Sequence, residues 1–138
     1  MGYADFANFK LVDGYQLNSV DGYSLTTNWV DVHSATNFDV SVVFTGGSPT
    51  GTVKLQKSND LQWTGGNRPQ PLSSANVSAV SDAVDAPTGS GTVSVSVSGA
   101  GVYTLNQSLV GYRWFRVVYT ASGNANTQLD IFVNWKKL

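Results

Sequence analysis

The chain has 138 residues, enough for one domain with a real core and too few for two. Only 12% of them are charged and the net charge is −1, so phosphate neutralisation on a basic surface, and with it nucleic-acid binding, is excluded. The absence of cysteine removes disulfides, thiolate metal sites and cysteine nucleophiles together.

All the acidic residues are Asp, which prefers turns and caps, and none is Glu, a good helix former. Val, Thr, Ser and Gly dominate the remainder, the vocabulary of strands and tight turns. So few charges also protect weakly against association, which points to a surface partly covered by a partner.

At the start, Val12-Asp13-Gly14-Tyr15-Gln16-Leu17 recurs as Val20-Asp21-Gly22-Tyr23-Ser24-Leu25. Asp-Gly signals a turn and Tyr-x-Leu is strand-like. Residues 1–25 therefore read either as short strands entered through turns or as an extended arm. In the arm reading Tyr15, Leu17, Tyr23 and Leu25 dock onto a neighbouring subunit. Two copies are too few for a solenoid. The start Met1-Gly2-Tyr3-Ala4-Asp5-Phe6 carries no basic-then-apolar leader, so no secretory signal is expected, and it lacks the Ser or Thr of a myristoylation signal. The apolar runs are too short to span a bilayer.

Trp29-Val30-Asp31-Val32 opens the globular part, dividing the chain into 1–25 and a β-sandwich domain over 26–138. Phe38, Val40, Val42 and Phe44 alternate with Asp39, Ser41, Val43 and Thr45, a strand with one core face. Thr45 to Gly51 is a loop by composition, and Thr52-Val53-Lys54-Leu55-Gln56 returns as a strand. The two runs are expected to form an antiparallel hairpin.

Residues 61–90 break the rhythm. Trp63-Thr64-Gly65-Gly66-Asn67-Arg68-Pro69-Gln70-Pro71 cannot be a central strand, because proline has no N–H for the ladder. Long irregular connections of this kind are usually binding loops. Trp63 and Arg68 are its candidate interface residues, since an exposed loop Trp either anchors a protein interface or stacks on a sugar.

Thr92 to Ser98 places Val93, Val95 and Val97 inside and hydroxyls outside. Val102-Tyr103-Thr104-Leu105 is another short strand. Tyr112 to Thr120 is apolar on both faces, with Trp114 and Arg116 on one side and Phe115, Val117 and Tyr119 on the other. Such a strand is either central in a sandwich or covered by something else. Ala121 to Asn126 reads as a polar hairpin loop. Leu129, Ile131, Val133 and Trp135 then share one face of the closing strand. The whole describes an all-β, single-domain antiparallel two-sheet sandwich, jelly-roll-like, with an extended N-terminal segment; an immunoglobulin-like topology is the competitor, though the paired cysteines of antibody-type domains are missing.

Catalytic chemistry has little to draw on. His33 is the sole histidine, and in Asp31-Val32-His33-Ser34 strand alternation sends Asp31 and His33 to one face and Ser34 to the other, which does not make a triad. Asp82 and Asp85 have no Asp-x-Asp-x-Asp-Gly loop around them, so no calcium site is expected. Gly46-Gly47 and Gly65-Gly66 lack the Lys-Ser/Thr ending of a phosphate loop. Arg113 and Arg116 need a carboxylate or solvent, and Asp39 and Asp130 are the candidate partners. The expectation is a protein without enzymatic activity, metal or cofactor.

Three segments carry a resemblance: Asn37-Phe38-Asp39-Val40-Ser41-Val42-Val43-Phe44, Gly51-Thr52-Val53-Lys54-Leu55-Gln56-Lys57-Ser58-Asn59-Asp60, and Tyr112-Arg113-Trp114-Phe115-Arg116-Val117-Val118-Tyr119-Thr120-Ala121-Ser122-Gly123. Together they resemble small β-sandwich virion proteins of tailed bacteriophages, over residues 28–135. The resemblance implies a capsid decoration (cement) protein, or a head-fibre or tail-associated one. It implies homo-oligomers, often trimers, that bind the major capsid protein or other virion proteins. It also implies location in the virion after synthesis in the bacterial cytoplasm, and no catalytic residues. The competing reading is a carbohydrate-binding module that uses Trp63 and loop tyrosines on a glycan.

Overall fold

Alternating apolar and polar residues build nearly every element of this protein, because a strand with one buried face repeats every second residue. The computed structural model describes residues 5–31, 37–58, 62–63, 69–70, 84–85, 91–108 and 114–137. Twelve strands follow in chain order: β1 (Asp5–Gln16), β2 (Leu25–Thr26), β3 (Val30–Asp31), β4 (Asn37–Thr45), β5 (Thr50–Ser58), β6 (Gln62–Trp63), β7 (Pro69–Gln70), β8 (Val84–Asp85), β9 (Ser94–Ser98), β10 (Gly101–Gln107), β11 (Trp114–Ala121) and β12 (Gln128–Lys137). A 3-10 turn, Ser19–Asp21, lies between β1 and β2.

The strands form two antiparallel sheets packed face to face. The first has the order β1-β12-β4-β10. In the second, β11 is central, with β5 on one side and β2 and β3 on the other, and β5 pairs outward with β9 and β8. β6 and β7 make a separate two-stranded ladder. Inner faces supply the core: Phe38, Val40, Val42 and Phe44 from β4, Val53 and Leu55 from β5, Phe115, Val117 and Tyr119 from β11, and Leu129, Ile131 and Val133 from β12 are all buried. Each such side chain contributes about 1.5–3 kcal/mol by leaving water. Between the sheets the Phe38 and Phe115 rings stack, with centroids 4.3 Å apart and planes 7° from parallel.

The all-β two-sheet sandwich expected from the sequence is present, and the strand with two apolar faces is the central one of its sheet. Three local expectations are corrected. β4 and β5 are not a hairpin, since β4 lies in the first sheet and β5 in the second. The loop after Ala121 is likewise no hairpin, because it carries the chain from β11 in the second sheet to β12 in the first. Four-residue connections reach about 13 Å, enough for the gap of roughly 10 Å between sheets as well as for a neighbouring strand at about 4.8 Å. Short loops therefore did not discriminate between the two.

The third correction concerns the start. The packed domain does not begin at Trp29. β1 pairs with β12 from Asp5 opposite Lys137 to Gln16 opposite Gln128, which makes residues 5–16 the edge strand of the first sheet rather than a detached arm. Its register shifts at Lys10/Val12 and Val12/Tyr15. Gly14, at φ +62, sits in this bulge, where a residue with Cβ would be strained.

The two sides of the sandwich differ. Along one, β10 closes on the residues that lead into β9: Asn106 N–H donates to Thr92 O at 2.8 Å, and Thr92 N–H to Asn106 Oδ1 at 3.1 Å. Along the other, the edges of β1 and β2 stand apart, and a groove of about 290 Å³ lies between them.

Candidate functional site

The residues singled out in the N-terminal segment divide between core and surface. Leu17 is 3% exposed and belongs to the core, and its N–H donates to Thr127 O at 3.0 Å. It cannot be a docking residue of the folded chain, because reaching a partner would require removing it from the interior. Tyr15 and Leu25 are half-buried and line the groove between β1 and β2 together with Leu11, Val12, Thr26 and Asn28. Tyr23 is half-buried in the turn after Gly22, with φ +60.

The two sequence copies touch: the Tyr15 hydroxyl donates to the Asp21 carboxylate. That bond, with some desolvation, holds the Tyr15 phenol above its ordinary pKa. Both Asp-Gly pairs put glycine in the left-handed region, Gly14 at φ +62 and Gly22 at φ +63, in different settings. The first serves a strand bulge. The second ends the 3-10 turn, whose Asn18 side chain accepts from Val20 N–H at 2.9 Å.

Trp63 lies in β6, opposite Pro69 in β7. Its side chain falls outside the described residues, as do Arg68, His33, Asp82 and Arg113. Asp85 is placed by its backbone alone, opposite Gln56.

Arg116 does not use the carboxylates expected for it. Its Nε donates to Gln56 Oε1 at 2.9 Å, and its guanidinium lies 4.5 Å from the centre of the Trp29 ring. Both partners are on the outer side of the second sheet, whereas Asp39 and Asp130 belong to the first, so no strand pairing brings them near. Burial holds the Arg116 pKa below its usual value. Asp130 is instead claimed by β1. Gly14 N–H donates to its Oδ1 at 2.7 Å, Gln128 Nε2 to its Oδ2 at 3.1 Å, and Lys10 Nζ stands 3.1 Å from Oδ1. The Gln128 bond, the Gly14 bond and Lys10 together hold the Asp130 carboxyl below its ordinary pKa despite its burial. Lys10 also pairs with Asp13 at 2.7 Å, and the two carboxylates raise its pKa. These contacts fix the bulged edge of the first sheet.

The outer face of the first sheet carries an arrangement that the linear pattern hides. Register places Asn8 beside Asn134, Asn134 beside Asp39, and Asp39 beside Asn106, one on each strand. Directly paired residues project to the same side of a sheet. Since Val133, Val40 and Leu105 next to them are buried, this row faces outward. Asn8, Asp39 and Asn134 are exposed, and among the described residues their side chains form no hydrogen bond or ion pair within the chain. The Asn106 carboxamide oxygen accepts from Thr92 N–H at 3.1 Å.

Where β4 begins and β10 and β12 end, the row runs into a cleft of about 520 Å³. Asn37, Asp39, Asn106, Ser108 and Asn134 line it with polar groups, and Trp135 borders it from the inner side of the sheet, the side of Val133. Phe38 and Gln107, both 2% exposed, close the floor. Trp135 is braced by Phe9, with ring centroids 5.6 Å apart at 71°. Taken singly, each row member is one polar residue in its own strand. Only register shows that they coincide.

No family model matches the chain, and no curated protein matches it by sequence. Its fold is similar to that of the SPBc2 prophage-derived protein YomS, known from a crystal structure. The TM-score is 0.53 and the sequence identity 10%, over 99% of this chain and 97% of that one. At this identity the likeness is one of fold.

Proposed function

We propose that the protein is a non-enzymatic structural component of a phage particle, and that it decorates the outside of the head shell as an oligomer, with three copies favoured. The observation that carries this reading is the fold likeness to the prophage-derived YomS, which runs end to end through both chains. Two features of the chain support it. Successive long strands alternate between the two sheets almost throughout, which suits a jelly-roll reading, a fold that recurs in viral capsid domains. The surface is poor in charge, which suits broad contact with another protein.

In this reading the partner is the major capsid protein or another virion protein, and the protein joins the particle after synthesis in the bacterial cytoplasm. The groove between β1 and β2, with Tyr15 and Leu25 in its wall, is the contact offered by the N-terminal segment. Co-sedimentation tests the proposal. The purified chain is added to particles that lack it, and saturable binding to intact heads is expected. Saturable binding to tails alone would transfer the role to a tail-associated protein. No binding to either would overturn the reading.

A further inference from the structure

We propose that the amide row on the outer face of the first sheet, with the cleft at its end, is a binding site for a neutral saccharide. This goes beyond a structural role in a particle and stands independently of where in a particle the chain sits.

The chemistry of the lining selects the ligand. A carboxamide offers an acceptor and two donors in one plane, and a carboxylate offers two acceptors. Vicinal hydroxyls of a sugar present donors and acceptors side by side, and planar side chains of this kind match them in pairs. Asn8, Asn134 and Asp39 are exposed and make no hydrogen bond within the described chain, so they need not abandon one to bind. They stand on adjacent strands, spaced by about 4.8 Å, so the full row extends roughly 14 Å with Asn106 at its far end. Strands hold such groups more rigidly than loops, which lowers the ordering cost of binding.

The cleft supplies depth. At about 520 Å³ it falls within the range of small-molecule sites, roughly 300–1,000 Å³. Other ligand classes fit less well. An apolar ligand would strand the amides and the carboxylate without partners. An anionic ligand would meet Asp39, while the nearest described ammonium group on this face, that of Lys10, is already held between Asp13 and Asp130.

The test uses the full chain on a microarray of bacterial cell-wall and capsular polysaccharide fragments, with every hit titrated by tryptophan fluorescence and NMR. The expected result is selective binding of neutral fragments. Asp39→Ala and Asn134→Ala should each weaken binding about tenfold or more, with melting temperatures unchanged because both side chains are exposed and unbonded. Trp63→Ala should bind as the parent does. Absence of binding to any fragment would overturn the proposal. So would undiminished binding by both row variants, or loss confined to Trp63→Ala.

Discussion

Replacing Phe115 by Ala perturbs the contact on which the two-sheet arrangement turns. Phe115 is 0% exposed and Phe38 2%, and their stacked rings join the second sheet to the first. Truncating a buried Phe to Ala costs about 3–5 kcal/mol, the lost transfer free energy plus the cavity left behind. A domain of this size has roughly 5–15 kcal/mol in total, so the variant should fold but melt roughly 10–20 °C lower. Phe38→Ala should cost a similar amount. The double variant should fall short of additivity by about 0.5–1.5 kcal/mol, the worth of an aromatic pair beyond its area. Urea unfolding followed by tryptophan fluorescence measures all three. Val102→Ala is the control: the side chain is 64% exposed, and the change should stay within about 0.5 kcal/mol. A Phe115→Ala cost near that of the control, or strictly additive Phe38 and Phe115 effects, would refute the inter-sheet contact.

Deleting residues 1–16 should abolish cooperative unfolding, because it strips the edge strand from β12 and uncovers the core beside Ile131 and Val133; circular dichroism melts and gel filtration decide this. Asp130→Asn should flatten the acid limb of the stability curve. The folded carboxyl lies below its ordinary value of 3.8, so its contribution is present above that pH and is lost as pH falls through the folded value. Parent and variant should therefore differ most near neutrality and converge in strong acid, as denaturant melts at stepped pH will show. Gly47→Ala should cost more than Gly99→Ala, by about 1 kcal/mol or more. Both glycines have positive φ, but only at Gly47 would a Cβ collide with the Asn126 carbonyl oxygen.

Much of the fold is written in local pattern. The alternation in Phe38 to Phe44 and in Val93 to Val97 names both strand and buried face, since one face of each must leave water. The apolar faces of Trp114 to Tyr119 announce a central strand. What local pattern does not carry is the identity of the sheet each strand joins. Gly46 to Pro49 and Ser122 to Thr127 are composed like hairpin loops, yet both pass between sheets, because both distances lie within their reach. The Val-Asp-Gly-Tyr echo showed the turn at Gly22 correctly, but Asp13-Gly14 is a bulge inside a long strand rather than a turn. Leu17 looked like its neighbours in a docking arm. The Thr127 backbone bond and the core around it, both distant in sequence, hold it inside.

The candidate site was less legible still. Tyr15 and Leu25 were named from the sequence and do share a groove, because β1 and β2 end the two sheets on the same side. The Asn8, Asn134, Asp39 and Asn106 row depends on three pairings across the whole chain, and no spacing within any one segment reveals it. Arg116 shows the same limit from the other direction. Its partner is set by the sheet it occupies, and that sheet holds Gln56 and Trp29 rather than Asp39 or Asp130.

Location in the particle is the claim on which the account rests. Electron cryomicroscopy of purified phage particles, with and without the gene for this chain, tests it most directly. The account predicts sandwich-shaped density on the outside of the head, present in the parent and missing from the deletion. Identical particles in both preparations, with the chain recovered only in the unsedimented fraction, would contradict it.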